Sequence, residues 1–248
     1  MSDAAIAVAV ARMLRDGEVC FVGVGLPSLA AMLAQRSLAP NLYLVYESGV
    51  LGTRPPQLPL SVADPGLAGT AQTLVPVPEM FNYWLQGGHV DVGLLGAAQV
   101  DRFGNVNSTV VGDGYDRPRV RLPGAGGAPE IASAAGRVVI MVRQSVRSFV
   151  SAVDFVTTAG QRVGDTTRRD LGFPGRGPVA VVTDIGIYEP DPDDGELVLV
   201  ALQPGRSVEE ARAATGWDLR VAPEPRRLLP PTASEQAVLT ALEGSPAP

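Results

Sequence analysis

Apolar residues fall in short blocks along this chain, and block length and period separate strands from helices. Residues 3–16 predict an amphipathic helix capped by Ser2 or Asp3. Val19–Val24 reads as an apolar strand ending in Gly23-Val24-Gly25-Leu26-Pro27-Ser28, and a helix follows from Pro27 or Ser28 to about Ser37. Proline is favourable in such a first turn. Leu42–Tyr46 is the next strand. Residues 52–78 are rich in Pro and Gly with little periodicity, and a stretch of that kind in a compact domain is usually functional or covers a partner. Residues 79–86 predict a short helix stopped by Gly87-Gly88, and Val90–Leu95 a strand. A turn-rich stretch over 102–109 and a glycine loop over 123–128 follow. Val138–Val142 and Val179–Thr183 are uninterrupted β-branched runs, expected of strands buried on both faces. Gly195-Glu196 predicts a hairpin turn into strand Leu197–Leu202. Ser207-Val-Glu-Glu210 is a capping box opening a helix that stops at Gly216. Residues 222–231 read as a Pro-rich linker, Thr232 or Ser234 caps a last helix, and the tail 244–248 is expected to be disordered. No internal repeat interrupts the pattern. It predicts one α/β domain over residues 1–243, with a mostly parallel sheet flanked by helices.

Composition narrows the function. The 248 residues are 46% hydrophobic and 19% charged, as in a globular protein. There is no apolar run of about 18 residues, which argues against a membrane span. The first residues carry an acid at Asp3 and no basic leader, so a cytoplasmic protein is expected. A net charge of -6 argues against nucleic acid as the main partner. The single Cys20 excludes an intrachain disulfide and a Cys-rich zinc site, and the single His89 excludes a multi-histidine metal site. All 20 basic residues are Arg, which removes Schiff-base chemistry and the phosphate-loop lysine. No metal site is therefore expected.

The strongest chemical signal is Leu42-Tyr43-Leu44-Val45-Tyr46-Glu47-Ser48-Gly49, a hydrophobic strand that runs into a carboxylate. Open α/β sheets bind ligands at the C-terminal ends of such strands. Glu47 is poised there as base or nucleophile, unless it is a plain surface turn. Gly23 and Gly25 sit between a strand and a helix, but a dinucleotide fingerprint needs glycine where Ser28 stands. Gly124-Ala125-Gly126-Gly127 can aim bare N–H groups at an oxyanion or phosphate, or be a flexible turn. Asn105, Asn107, Ser108 and Thr109 either bind a ligand or satisfy their own backbone as turns. His89 reads as a surface residue, Cys20 as a small core residue, and Met80, Phe81, Tyr83 and Trp84 as core or subunit interface.

Seven colinear pieces carry a resemblance: VGVGLP (22–27), LAPNLYLVYESG (38–49), LGAAQVDRFGNVNST (95–109), LPGAGGAPEIA (122–132), AVDFVTTAG (152–160), LGFPGRGPVAVVTDIGIY (171–188) and ATGWDL (214–219). In this order they resemble the β subunit of class I CoA-transferases, in the glutaconate CoA-transferase branch, over residues 5 to 230. The resemblance implies the CoA-transferase α/β fold and a hetero-oligomer with an α subunit. It implies that Glu47 is the nucleophile and that Gly126 and Gly127 form the oxyanion site. It also makes Gly23, Gly25, Ser48, Gly49, Gln99, Asn105, Asn107 and Gly124 candidates for substrate and CoA binding. Coenzyme A enters as acyl-CoA substrate, with a carboxylic acid as acceptor and no permanently bound cofactor. The implied route runs through an acyl-glutamyl anhydride and an enzyme–CoA thioester. Relatives of this family also run hydrolysis or decarboxylation, typically with the glutamate altered. A non-catalytic acyl-CoA-binding subunit is the third alternative. Arg54 follows Glu47 closely and would pair with a second substrate carboxylate or a CoA phosphate if it does not face solvent or a structural partner.

Overall fold

The computed structural model describes residues 2–243. In chain order it contains α1 (Ser2–Ala11), β1 (Val19–Val22), α2 (Leu26–Ser37), β2 (Tyr43–Tyr46), β3 (Val50–Thr53), α3 (Pro65–Gly69), β4 (Thr73–Leu74) and α4 (Val77–Glu79). A π-helical stretch, Met80–Leu85, continues α4. Next come β5 (Val92–Gly96), β6 (Gln99–Val100), β7 (Val106–Asn107), β8 (Val110–Val111), β9 (Val120–Arg121), α5 (Ala128–Ala134) and β10 (Arg137–Met141). The chain continues through β11 (Arg162–Val163), β12 (Thr166–Thr167), β13 (Pro178–Val182), β14 (Gly186–Pro190), β15 (Leu197–Leu202), α6 (Val208–Ala213), β16 (Arg220–Arg227) and α7 (Ala233–Glu243).

Ten strands form one sheet in the order β16-β15-β14-β13-β10-β5-β1-β2-β3-β4. The central run β13-β10-β5-β1-β2 is parallel throughout. Antiparallel hairpins extend it through β14 and β15 on one side and β3 and β4 on the other. Successive side chains of a strand point to opposite faces, and the core divides accordingly. Cys20, Val22, Leu44, Tyr46, Leu94, Met141 and Val182 face α1, α2 and α7. Phe21, Val45, Leu95, Ile140 and Val181 face the other layer, with Met80, Leu85 and Ile131. Both faces of the central strands are buried, as their apolar runs predict.

Several elements depart from the sequence-based expectation. The first helix ends at Ala11 and not at residue 16, because the chain tightens there into i→i−3 bonds from Met13 and Leu14. The Arg12 guanidinium donates to Glu235 and to the carbonyls of Leu229 and Pro230, tying this corner to α7. The arginine holds the Glu235 carboxyl down to about 2. The linker expected over 222–231 is largely strand β16. Proline is tolerated at a sheet edge and in irregular stretches. β16 is the outermost strand, and its register against β15 breaks between Val221 and Arg226, where Pro223 and Pro225 lie. Within 52–78 the chain forms the end of β3, then α3 and β4. The helix from Val208 stops at Ala213, short of Gly216, and strand β14 has no counterpart in the sequence-based expectation. Of the two candidate caps for α7, Thr232 makes the capping contacts: its Oγ1 accepts from Glu235 N, and its N–H donates to Glu235 Oε2. The tail at 244–248 lies outside the described residues.

Candidate active site

Glu47 leaves the end of β2 at the tip of the β2–β3 hairpin. The turn closes by Gly49 N donating to Tyr46 O at 3.0 Å. Gly49 has φ +90, the left-handed residue that three-residue hairpin loops use. Any side chain there would also strike Val75, since a Cβ would lie 1.8 Å from its carbonyl oxygen. Glu47 is therefore held on a backbone that only glycine at 49 permits. The neighbouring Ser48 Oγ is buried and has no hydrogen-bond partner among the described residues.

The second wall is the glycine loop. Gly124 and Gly126 take φ of +108 and +50. Gly127 precedes α5, and its N–H donates to Glu47 Oε2 at 3.2 Å. That is the only hydrogen bond of the Glu47 side chain among the described residues. A Cβ on Gly127 would lie 3.0 Å from Glu47 Oε2 and 2.7 Å from Phe81 Cζ, so the approach needs a bare backbone. The loop's position follows from α5. Ile131 of α5 sits where a side chain on Gly93 of β5 would be, 2.4 Å from that virtual Cβ. At the other end of α5, the buried Arg168 guanidinium donates to the carbonyls of Ala132, Ser133 and Gly175 and reaches those of Ala159 and Gly160. Burial lowers its pKa to about 10, so it remains a cation at neutral pH.

The third wall is the turn after β1. Gly25 caps α2 at φ +84, and Pro27 lies in the helix's first turn. Ser28 Oγ donates to Gly23 O at 2.8 Å and lies 3.2 Å from Tyr46 Oη. With its one proton committed to Gly23, Ser28 accepts from the tyrosine. Burial pushes the Tyr46 phenol up to about 12, so it stays protonated and able to donate. Ser28 thus ties the β1–α2 turn to the residue before Glu47.

Glu47 lies between two cavities. One, about 510 Å³, is lined by Glu47, Ser48, Val62, Val77, Phe81, Asn82, Gln86, Gly126, Gly127 and Glu130. The other, about 470 Å³, runs from Glu47 along Gly23, Leu94–Ala98 and Pro123–Ala128 to Ser108. It sits at the C-terminal ends of β1 and β5. Of the sequence candidates, Glu47, Ser48, Gly23, Gly124, Gly126 and Gly127 meet at these cavities, with Gly49 and Gly25 shaping two of the turns.

Gln99, Asn105 and Asn107 do not line either cavity. Asn107 Nδ2 donates to Gln99 Oε1 and Val110 O, and its Oδ1 accepts from Thr109 N and Val110 N. Asn105 Nδ2 donates to Asp101 and Arg162 O, and its Oδ1 accepts from Gly160 N. Burial raises the Asp101 carboxyl above its ordinary value. Arg54 lies at the far end of β3, donating to Pro40 O and away from the cavities. His89 is exposed and packs edge-on against Trp84, and Cys20 is wholly buried. Val62, Phe81 and Asn82 line the site without a signal in the sequence, because apolar or helical residues of that kind read as core. Among the described residues, no cluster of His, Cys, Asp and Glu could hold a metal, and no helix is long and apolar enough to cross a membrane.

The family model described as Coenzyme A transferase matches residues 4–213. The chain is 52% identical over 236 residues to one subunit of the 3-oxoadipate CoA-transferase of Pseudomonas knackmussii, covering 95% of this chain and 90% of that one. It is 37% identical to one subunit of the glutaconate CoA-transferase of Acidaminococcus fermentans, over 87% of this chain and 82% of that one. The crystal structure of that organism's glutaconate CoA-transferase superposes with TM-score 0.88 at 33% identity, covering 97% of this chain and 93% of that one. The decarboxylase AibA/AibB superposes with TM-score 0.81 at 28% identity, again over 97% and 93%.

Proposed function

The chain belongs to the coenzyme A transferase family, and from that premise we propose that it is the β subunit of an acyl-CoA:carboxylate CoA-transferase with Glu47 as its nucleophile. The observation that carries this reading is one carboxylate, met by a bare backbone N–H, at the junction of two cavities.

A thioester carbonyl is a reactive acceptor for a carboxylate. Glu47 attacks it, and the Gly127 N–H, with Gly126 beside it, stabilises the oxyanion of the tetrahedral intermediate. Collapse breaks the carbon–sulfur bond, giving an acyl-glutamyl anhydride and CoA thiolate. The thiolate then attacks the Glu47 carbonyl, releasing the first carboxylate and leaving CoA on Glu47 as a thioester. An acceptor carboxylate attacks that thioester and expels the thiolate, giving a second anhydride; the thiolate then attacks the acceptor's own acyl carbon and releases the Glu47 carboxylate. The thioester energy passes along the sequence, so no ATP is consumed. Binding energy from the remote parts of CoA lowers the barrier at the reacting carbonyl.

A dicarboxylic acyl-CoA is the substrate class we assign, because the relatives are named for 3-oxoadipate and glutaconate, both dicarboxylates. An α subunit is the assigned partner, because each relative is named as one subunit of its enzyme. Residues 1–243 act as one domain in this reading. Decarboxylation or hydrolysis on the same scaffold is the second reading, favoured by the likeness to AibA/AibB. There Glu47 acts as a base or a bystander.

The test is mass spectrometry of the α/β complex mixed with a panel of acyl-CoAs, with borohydride trapping in parallel. A CoA adduct or a reduced residue on the Glu47 peptide is expected. Acyl-CoA consumption with free CoA or carbon dioxide as product, and no adduct, would replace transfer by the second reading.

A further inference from the structure

The strands β8 and β9 form a hairpin that carries an unusual set of side chains for this chain. Its segment 113–121 holds Arg117, Arg119 and Arg121 against Asp113 and Asp116, in a protein of net charge -6. Some exposed arginines are paired, as Arg143 is with Asp3 and Arg220 with Asp194, and others, such as Arg147 and Arg212, stand apart from any aromatic ring or cavity. The guanidinium groups of Arg117 and Arg119 have no hydrogen-bond or ion-pair partner among the described residues, and both residues are exposed. Arg121 donates to Tyr115 O at 3.0 Å and lies 4.5 Å from the centre of the Tyr115 ring. Tyr115 is 55% exposed, with Phe155 6.0 Å from it. The hairpin therefore presents an aromatic ring braced by one cation and flanked by two free ones.

Its place in the fold matters as much as its charge. The second cavity runs from Glu47 to Ser108, Pro123 and Gly124, which are the foot of this hairpin. The ladder continues from that foot: Gly124 N donates to Ser108 O, Leu122 N to Thr109 O and Arg119 N to Val111 O. The strand from Gly124 back to Arg119 spans up to about 16 Å. The tip is anchored by Gly112 N donating to Asp154 Oδ2 at 2.8 Å. A ligand whose reactive end is at Glu47 and whose arm fills the cavity would bring its distal end to Tyr115, Arg117 and Arg119.

We propose that the hairpin binds the 3′-phospho-ADP end of coenzyme A, with Tyr115 stacking on adenine and Arg117 and Arg119 taking the phosphates. The inference rests on acyl-CoA being the substrate. Guanidinium groups match phosphate oxygens in pairs, and an aromatic face stacks any base. Beyond Glu47 this cavity is lined by glycines, alanines, Ser108 and apolar side chains such as Val22, Leu94 and Ile131, with no other charged group, which suits the uncharged pantetheine arm. The charge is placed where the ligand's own charge ends.

The experiment compares acyl-CoA with the matching acyl-pantetheine in the α/β complex, and measures binding of 3′,5′-adenosine bisphosphate by calorimetry. Each lost guanidinium–phosphate contact is expected to weaken binding about tenfold. The Arg117→Ala/Arg119→Ala pair should raise KM for acyl-CoA by roughly that factor or more, and narrow the preference for acyl-CoA over acyl-pantetheine. It should also abolish adenosine bisphosphate binding and flatten the salt dependence of the acyl-CoA KM. Tyr115→Ala should weaken the nucleotide in the same assay, and Arg212→Ala, an exposed arginine on α6, should change neither readout. An unchanged KM for acyl-CoA with retained nucleotide binding would overturn the proposal. So would an equal loss for acyl-CoA and acyl-pantetheine. The calorimetric arm needs no turnover, so a failure of the Glu47 mechanism leaves the hairpin assignment separately testable.

Discussion

Two polar regions of this protein look alike in sequence and are built in opposite ways. At the junction of the two cavities the chain supplies the Glu47 carboxylate, Val62, Gly126 and Gly127, with Glu130, Asn82 and Gln86 on the wall of one cavity, and among the described residues Glu47 makes one hydrogen bond, from Gly127 N. Around residues 99–109 it supplies Gln99, Asp101, Asn105 and Asn107, all buried, and their side chains bond to their own loops and to Gly160 and Arg162. The first arrangement leaves a carboxyl group with a single partner among the described residues, as the proposed reaction with an incoming carbonyl requires. The second leaves nothing to offer, because buried polar groups are stable only when satisfied. Mutual satisfaction of polar side chains marks the frame here, and an under-partnered carboxylate marks the proposed site.

The comparison breaks most visibly at Gly127. Its φ is -82, so alanine costs no backbone strain, but its Cβ would press on Glu47 Oε2 and on Phe81. Gly127→Ala keeps the N–H but forces it and Glu47 apart, so kcat should fall by up to about 10²–10³-fold, the loss typical when one oxyanion donor is put out of reach. Its melting temperature should move far less. Steady-state kinetics beside a thermal melt will read both. A wild-type kcat would show that the backbone contact seen here is incidental.

Asn105 is the converse. Asn105→Ala removes the donor to Asp101 and Arg162 O and the acceptor for Gly160 N, in a residue 3% exposed. The expected loss is about 2–3 kcal/mol of stability, read as a lower urea midpoint. Turnover per folded molecule should stay within about twofold, a loss well under 1.4 kcal/mol. A variant that melts normally but loses turnover would move Asn105 from the frame to the site.

How much of this was legible follows from the same contrast. The central strands were readable because both faces are buried, so Val19–Val22, Tyr43–Tyr46, Val138–Met141 and Val179–Val182 are apolar without interruption. The edge strand over 220–227 was not, because an edge needs no apolar run and tolerates Pro223 and Pro225. Glu47 stood out as a candidate because a carboxyl side chain at the end of a buried strand is conspicuous. Val62 and Phe81 did not, since their place at the candidate site comes only from tertiary packing over Glu47 and Gly127. Whether Asn105 and Asn107 serve a ligand or their own turns was open in the sequence; their partners lie at Arg162 and Gly160 for one and at Gln99 and Val110 for the other. The Asn107 pairing is local, a turn of the kind the sequence offered, whereas the pairing of Asn105 across more than fifty residues has no local signature.

Ser28 is where the two designs overlap, and it gives the smallest and most discriminating effect. Its hydroxyl is wholly buried like the frame residues, yet it joins the Gly23 carbonyl to the Tyr46 phenol, one residue before Glu47. Ser28→Ala deletes both contacts and leaves a buried phenol in need of a partner, at about 1 kcal/mol. If Ser28 only supports the frame, the whole loss appears in the melting curve and kcat is unchanged. If the Tyr46–Ser28–Gly23 link also orients the Glu47 turn, kcat falls severalfold while KM for acyl-CoA holds. The second outcome is expected, because the Glu47 backbone is fixed from one side by Gly49 and Val75, and from the other by this link.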